Sequence, residues 1–357
     1  MKLPPLISVP LSWLYGMVVH IRHKLFDLKI LRSEEFDIPV VCIGNLTVGG
    51  TGKTPVAELL IERFSEHYRV GVLSRGYRRR TKGFVLSTLT SSARTIGDEP
   101  RQMKLKYPSV PVAVCEKRAE GIRLLRKARP EIELIILDDA FQHRYVEPWV
   151  NILLMDYNNP VYRDRLLPWG RLRDTRNQIH RANFVLVTKC PDDLNPLDMR
   201  IVINSLGLFP YQSLYFTRMR QGEITPLFAD RAVGKVREGD PVIAMSGIAN
   251  PVPLLENLRK RFDVVAELTF DDHHTYRLSD MRRLEALFAA YPDAVVLTTE
   301  KDAVKLTNRK KVPEAVQQRL YYVPIHVSFV ADSESEFLRQ LELYVRTNQK
   351  YSLLHPE

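Results

Sequence analysis

The sequence predicts an α/β protein with a mostly parallel sheet flanked by helices, on three observations. Apolar, β-rich runs at 40–43, 69–73, 110–115, 133–137, 150–155 and 183–188 alternate with helical stretches such as 55–65, 99–106 and 118–128. Strands alternating with helices imply a parallel sheet covered on both faces. A glycine-rich turn carrying Lys53 and Thr54 lies between the first of these runs and its helix. A second alternating unit follows, with strands at 242–246, 264–268 and 294–298, helices at 252–262 and 278–290, and a last helix near 334–346. At 357 residues and 45% hydrophobic content, the chain can bury one large or two modest cores. Two lobes are expected.

The first element is a helix. Leu11, Leu14, Val18, Ile21, Leu25 and Leu28 recur in three- and four-residue steps, and Trp13, Tyr15, Met17 and Val19 widen that face. His20, Arg22, His23, Lys24, Lys29 and Arg32 crowd its later part, which suits a helix lying in a membrane interface. A helix packed on its own domain fits the pattern as well. The apolar run is too short to span a bilayer. Pro4, Pro5 and Pro10 and the lack of a small-x-small site argue against a secretion signal.

Residues 40–58 come next, where the strand ends in Gly44-Asn-Leu-Thr47-Val48-Gly49-Gly50-Thr51-Gly52-Lys53-Thr54-Pro55. Three glycines let backbone N–H groups converge on phosphate oxygens, and the dipole of the following helix reinforces them. Lys53 is expected to reach the β- and γ-phosphates and Thr54 to hold Mg²⁺. Thr47 stands where the generic Gly-x-x-x-x-Gly-Lys-[Ser/Thr] pattern has its first glycine. Gly49 and Gly50 supply the missing flexibility. This makes the fold class P-loop NTPase-type, with a nucleotide and Mg²⁺ as the expected ligands.

In such sheets ligands collect at the carboxyl ends of the strands. There the chain carries Ser74-Arg-Gly-Tyr77, Asp138-Asp139 and Thr188-Lys189. Asp138 and Asp139 close an apolar strand, the arrangement that holds a phosphate-bridging Mg²⁺. Asp98, in Gly97-Asp-Glu-Pro100, has the spacing of a helix cap. Phe270-Asp-Asp-His273-His274-Thr-Tyr276 places titratable groups where a second lobe faces the first, and adjacent histidines point apart, against a shared zinc. Thr299-Glu-Lys-Asp302 reads as a helix start with a structural or lobe-contact role. Arg78-Arg79-Arg80 is a solvated loop or an attractor of anionic substrate, and Arg118 and Arg171 are candidates for neutralising transferred phosphate. Segments 213–220 and 321–329 read as strands that pair as a connecting ribbon. The predicted organisation is residues 1–36 as a membrane-associating helix, 37–225 as the P-loop core and 226–357 as the second lobe.

The 52 Lys+Arg against 42 Asp+Glu, net +10, suit an anionic partner. Basic residues are not interleaved with stacking aromatics, so nucleic acid is not expected. Cys42, Cys115 and Cys190 are far apart in or beside apolar runs, a pattern that suggests no disulfide framework or zinc spacing and fits a reducing compartment.

Taken in order, Gly44–Pro55, Ser74–Tyr77, Gly97–Pro100, Asp138-Asp-Ala-Phe-Gln-His143, the Leu-Pro-x-Gly-Arg-Leu-Arg stretch, Phe270–Tyr276 and Thr299–Asp302 resemble the tetraacyldisaccharide 4'-kinase family of lipid A biosynthesis, from the N-terminal helix to about residue 330. The resemblance implies transfer of the γ-phosphoryl group of ATP to the 4'-hydroxyl of an acylated glucosamine disaccharide 1-phosphate lipid, at an anionic inner-membrane surface on its cytoplasmic face. It also implies that Asp98 is the catalytic base, working with His273, so its cap reading is set aside. Another P-loop ATPase or GTPase acting on a protein or metal centre is the alternative, though Thr188-Lys-Cys-Pro191 lacks the Asp that reads guanine. A non-catalytic, nucleotide-binding membrane scaffold is a third.

Overall fold

The computed structural model describes residues 4–354. Nine strands form the first sheet, in the spatial order 325–329, 213–221, 184–188, 150–156, 40–45, 134–137, 70–74, 112–114 and 85–86. The seven inner strands run parallel, and the two outermost are antiparallel. Every residue of Val40–Asn45, Leu134–Leu137, Val150–Asp156 and Phe184–Thr188 is buried, as a sheet covered on both faces requires. One face packs on Ile122 and Leu125 of the helix Arg118–Ala128. The other packs on Val56, Leu60 and Phe64 of the helix Lys53–Phe64 and on Phe337, Leu341 and Val345 of the helix Glu334–Leu354.

The second sheet has five strands, ordered 263–269, 241–246, 295–299, 320–323 and 225–226. The first four are parallel, with Leu254 and Leu258 of one helix on one face and Met281, Leu284 and Phe288 of another on the opposite face.

The C-terminal part differs from the sequence reading. The strand expected over 321–329 is split at Pro324, which lacks the N–H that a continuing ladder needs. Leu320–Val323 completes the second sheet, while Ile325–Phe329 pairs antiparallel with Thr217–Gln221. The last helix then packs on the first lobe, so residues 325–346 do not belong to the second lobe, where the 226–357 boundary had put them.

Pro5–Asp27 forms the expected N-terminal helix. Its inner side is Ser8, Ser12, His23 and Phe26, all buried. The predicted apolar stripe points outward: Leu11, Leu14, Val18, Ile21 and Leu28 are exposed, and so are Trp13 (77% exposed) and Met17. A core-packed helix would bury that stripe. Here polar anchors hold the helix instead, with Ser12 Oγ donating to Leu166 O at 2.9 Å and Tyr15 Oη to Arg173 O at 2.8 Å. His23 Nε2 pairs with the buried Asp174 at 2.6 Å.

Candidate active site

The glycine-rich loop leaves the centre of the first sheet. Gly49 (φ +108°) and Gly52 (φ +85°) occupy the left-handed region, so a side chain there is strained; Gly50 has an ordinary backbone. Asn45 Nδ2 donates to Thr51 Oγ1 at 2.9 Å, and Thr188 Oγ1, at the end of the parallel strand Phe184–Thr188, donates to Thr51 O at 2.9 Å. Val48 N donates to Arg171 O at 2.8 Å, and Thr47 is bridged to Leu172, so the 164–174 segment walls the loop on the other side. The helix Lys53–Phe64 starts on Gly52 without a side-chain cap. Its first-turn amides are therefore left for an anion. Thr54 is half-buried in that first turn.

Asp138 follows the adjacent strand, buried, and its Oδ2 accepts from Ser74 Oγ at 3.0 Å. Its Oδ1 is buried without a hydrogen-bond partner. Burial first, then Asp139 and Glu99, push this carboxyl up to about 6 against the pull of Lys53 and Ser74. Asp139 is different. Its oxygens meet Arg173 and Lys53 (Nζ–Oδ1 3.8 Å), and although burial works to raise it, Lys53 and Arg173 hold it below the usual carboxylate range. Expected as a metal ligand, Asp139 is a counter-ion to two cations in this arrangement.

Arg173 is the residue that the sequence reading missed. It lies two positions beyond Arg171 and pairs with Asp139 and with Asn45 Oδ1 at the mouth of the loop. Arg171 sits at the lip, its Nη2 3.4 Å from Val48 O. Arg118 is 2% exposed, and its guanidinium donates to the carbonyls of Cys115 (2.9 Å), Glu116 (3.1 Å) and Asp139 (3.4 Å). That makes it a strut beneath Asp139 rather than an open fork. Lys189 Nζ, at one of the strand ends marked by the sequence, donates to Gly50 O and pairs with Asp156 at 2.8 Å.

The second lobe meets this edge at Asp98. The helix Asp98–Lys106 begins on Gly97, whose φ of +95° and ψ of 163° suit glycine alone. Asp98 is the first helical residue and makes no cap bond, which frees its side chain. Its Oδ2 lies 2.8 Å from His273 Nδ1 of the other lobe. Burial works to raise the Asp98 carboxyl, but the His273 hydrogen bond and the neighbouring lysines outweigh it and hold the group low. His273, itself at φ +63°, has Lys301 Nζ 3.3 Å from its Nε2, and Lys301 also approaches Glu99 (3.5 Å) and Asp272 (3.3 Å). Glu99 in turn bears electrostatically on both Lys53 and Asp138, so this contact borders the phosphate loop.

His274 turns away to Asp280 at 2.9 Å, and no cluster of three or more His, Cys, Asp or Glu suited to a metal occurs among the described residues. Arg78 reaches across to Asp272 O at 3.1 Å, while Arg79 is folded in against Glu116 at 2.7 Å, so the basic loop is partly structural. In the Thr299–Asp302 turn, Thr299 caps the helix Glu300–Ala303 and Asp302 is fully buried; Glu300 contacts Lys106 of the first lobe at 3.3 Å. The turn is a lobe contact, as its sequence reading has it.

A phosphate-gripping loop at the carboxyl edge of a parallel sheet, faced by a carboxylate–imidazole couple from two lobes, defines the class: a P-loop phosphotransferase. Residues 5–344 match the family model described as tetraacyldisaccharide-1-P 4'-kinase, extending past the residue at which the sequence resemblance stopped. The chain is 44% identical to the tetraacyldisaccharide 4'-kinase of Bacteroides thetaiotaomicron, over 96% of this chain and 94% of that one. It is 43% identical to the enzyme of the same name from Porphyromonas gingivalis, over 93% and 95%. The crystal structure of LpxK from Aquifex aeolicus in complex with ATP superposes with a TM-score of 0.72 at 27% identity, covering 94% of this chain and 98% of that one. The chain belongs to the tetraacyldisaccharide-1-P 4'-kinase family and is a kinase.

Proposed function

We propose that the protein transfers the γ-phosphoryl group of ATP to the 4'-hydroxyl of a tetraacylated disaccharide 1-phosphate, while seated on the cytoplasmic face of the inner membrane. The observation that carries this reading is the 2.8 Å Asp98–His273 couple, made between lobes on the edge that bears the phosphate loop. A non-catalytic scaffold has no use for a carboxylate held by an imidazole beside its phosphate site; a kinase uses one to take the proton of its alcohol acceptor.

The loop amides and Lys53 bind the phosphates. Thr54 and Asp138 fit a Mg²⁺ ion, since both offer oxygen and Asp138 Oδ1 is buried with no partner. When bound, that ion neutralises charge on the β- and γ-phosphates. Asp139 and Arg173 keep Lys53 and the Asn45 end of the loop in place. Asp98 accepts the proton of the 4'-hydroxyl as its oxygen bonds to the γ-phosphorus; the bond to the β-γ bridging oxygen breaks and ADP departs. His273 orients the carboxylate and shares the proton. Arg171 at the loop lip, and Arg118 through Asp139, help to stabilise the transferring charge; the gain comes from positioning and electrostatics.

The outward apolar face of the N-terminal helix supports membrane seating. Leu6, Trp13, Met17 and Val18 are exposed there, although no helix among the described residues is long and apolar enough to cross a bilayer. An acylated acceptor remains in the lipid, so the enzyme must meet it at the surface. The net charge of +10 favours the anionic leaflet.

The test is mass spectrometry of a tetraacyl disaccharide 1-phosphate, dispersed in detergent, after incubation with the protein and Mg-ATP. A gain of one phosphoryl group that Lys53→Ala abolishes is expected. No gain, from protein shown to bind ATP, removes the lipid-kinase reading.

A further inference from the structure

Both contacts to Asp98 from the second lobe converge on one oxygen. His273 Nδ1 is 2.8 Å and Lys305 Nζ, at its nearest, 3.6 Å from Oδ2, while among the described residues no hydrogen bond reaches Oδ1. The Lys305 side chain is only 7% exposed and lies 6.0 Å from the centre of the Tyr276 ring. Its position is set by Asp302, whose Oδ1 lies 2.9 Å away. Asp302 is completely buried and fixed by Gly247 N and Thr299 Oγ1, each 2.8 Å from its Oδ2. A chain of fixed contacts therefore runs from the second sheet to the carboxylate that begins the helix Asp98–Lys106.

We propose that Lys305 is a positioning residue for phosphoryl transfer: anchored by Asp302, it clamps Asp98 Oδ2 from the second lobe and leaves Oδ1 as the oxygen that accepts the acceptor's proton. The inference rests on Asp98 being the base. Lys305 touches neither the phosphate loop nor its carboxylates; it acts through Asp98 alone. The other charged groups around Asp98 are His273, Asp272 and Lys301 of the second lobe, Glu99 beside it, and Arg78, which reaches the Asp272 carbonyl. Asp272 and Glu99 are already answered by Lys301. Lys305 is the ammonium in ion-pair range of Asp98 itself, and the low position of the Asp98 carboxyl agrees with it.

The experiment is the pH profile of kcat at saturating substrates for the wild type, Lys305→Met, Lys305→Arg and the double variant Asp302→Asn/Lys305→Met. The double variant avoids leaving Asp302 buried and unpaired, and so carries the test if the single one does not fold. Removing a cation at this range should move the acid limb upward by about one pH unit, which is an about tenfold loss of kcat below the limb. Lys305→Arg should return the limb toward the wild-type position, and the KM for ATP should stay within about twofold throughout. An acid limb that stays in place in the folded variants, or a uniform loss at every pH, overturns the proposal. Wild-type protein that phosphorylates no lipid overturns the function instead, and the two failures are distinct.

Discussion

Gly44→Ala is the most demanding test of how the site is built. Gly44 lies one residue before the end of the central strand, and a Cβ placed there falls 2.5 Å from Phe141 Cβ and 2.9 Å from Phe141 N. Carbon atoms in contact sit about 3.5–4.0 Å apart, so strand and segment must separate by about 1 Å. The obstacle is backbone and Cβ, not a flexible tip. Phe141 is itself fully buried, its carbonyl accepts from Arg181 Nη2 at 3.0 Å, and the Arg181 guanidinium lies 4.6 Å from its ring centre. The movement is therefore forced on the turn that carries Asp138 and Asp139. Overpacking of this kind costs about 1–3 kcal/mol, and a displacement of about 1 Å at a reacting site costs about 100-fold in rate. Gly44→Ala should lower the melting temperature by several degrees and kcat by about 100-fold, read by thermal unfolding and by the lipid phosphorylation assay. Gly50→Ala is the control for stability, since its Cβ meets nothing within 4 Å and its backbone is ordinary, so its melting temperature should equal that of the wild type. Wild-type stability and rate in Gly44→Ala would refute the claim that this close approach sets the carboxylates.

Arg173→Lys should retain less than about a tenth of kcat, because an ammonium cannot span Asp139 and Asn45 as the guanidinium fork does; steady-state kinetics decide it, and full activity would refute that bridging role. Trp13→Ser with Leu14→Ser should reduce binding to anionic vesicles at least about tenfold without lowering thermal stability, since both side chains are exposed; sedimentation with and without vesicles measures this. Asp98→Ala should be destabilising at neutral pH. The Asp98 carboxyl is held low in the folded protein, so its contribution is present above the unfolded carboxylate value of about 3.9 and is lost as pH falls through the folded one. The stability gap between wild type and variant should accordingly narrow below about pH 4 in denaturant titrations, and a gap independent of pH would count against the charge contact.

The features legible in the residue order are short-range. Strand and helix alternation, the glycines before Lys53 and the carboxylates closing the strand Leu134–Leu137 are legible because each depends on neighbouring residues and on one backbone geometry. The helix Pro196–Leu206 was legible too and went unread: Asn195 caps it, accepting from Asp198 N at 2.9 Å, Pro196 opens it and Gly207 ends it in the left-handed region.

The remaining features depend on partners far apart in the chain, which only folding brings together. The residues of the Asp98–His273 pair are 175 positions apart, and nothing local to either names the other; only the family resemblance joined them. Arg171 and Arg173 are equivalent by composition, and the choice between them depends on which one the 164–174 segment turns toward Asp139. The N-terminal helix has apolar residues around most of its circumference, so its inward face was settled by where Leu166, Arg173 and Asp174 offered partners to Ser12, Tyr15 and His23. The return of the chain at Pro324 followed the same logic. A free edge on the strand Ser213–Gln221 and an open face on the first sheet took up Ile325–Phe329 and the last helix, and burial of Phe337, Leu341 and Val345 there outweighed continuation of the second sheet.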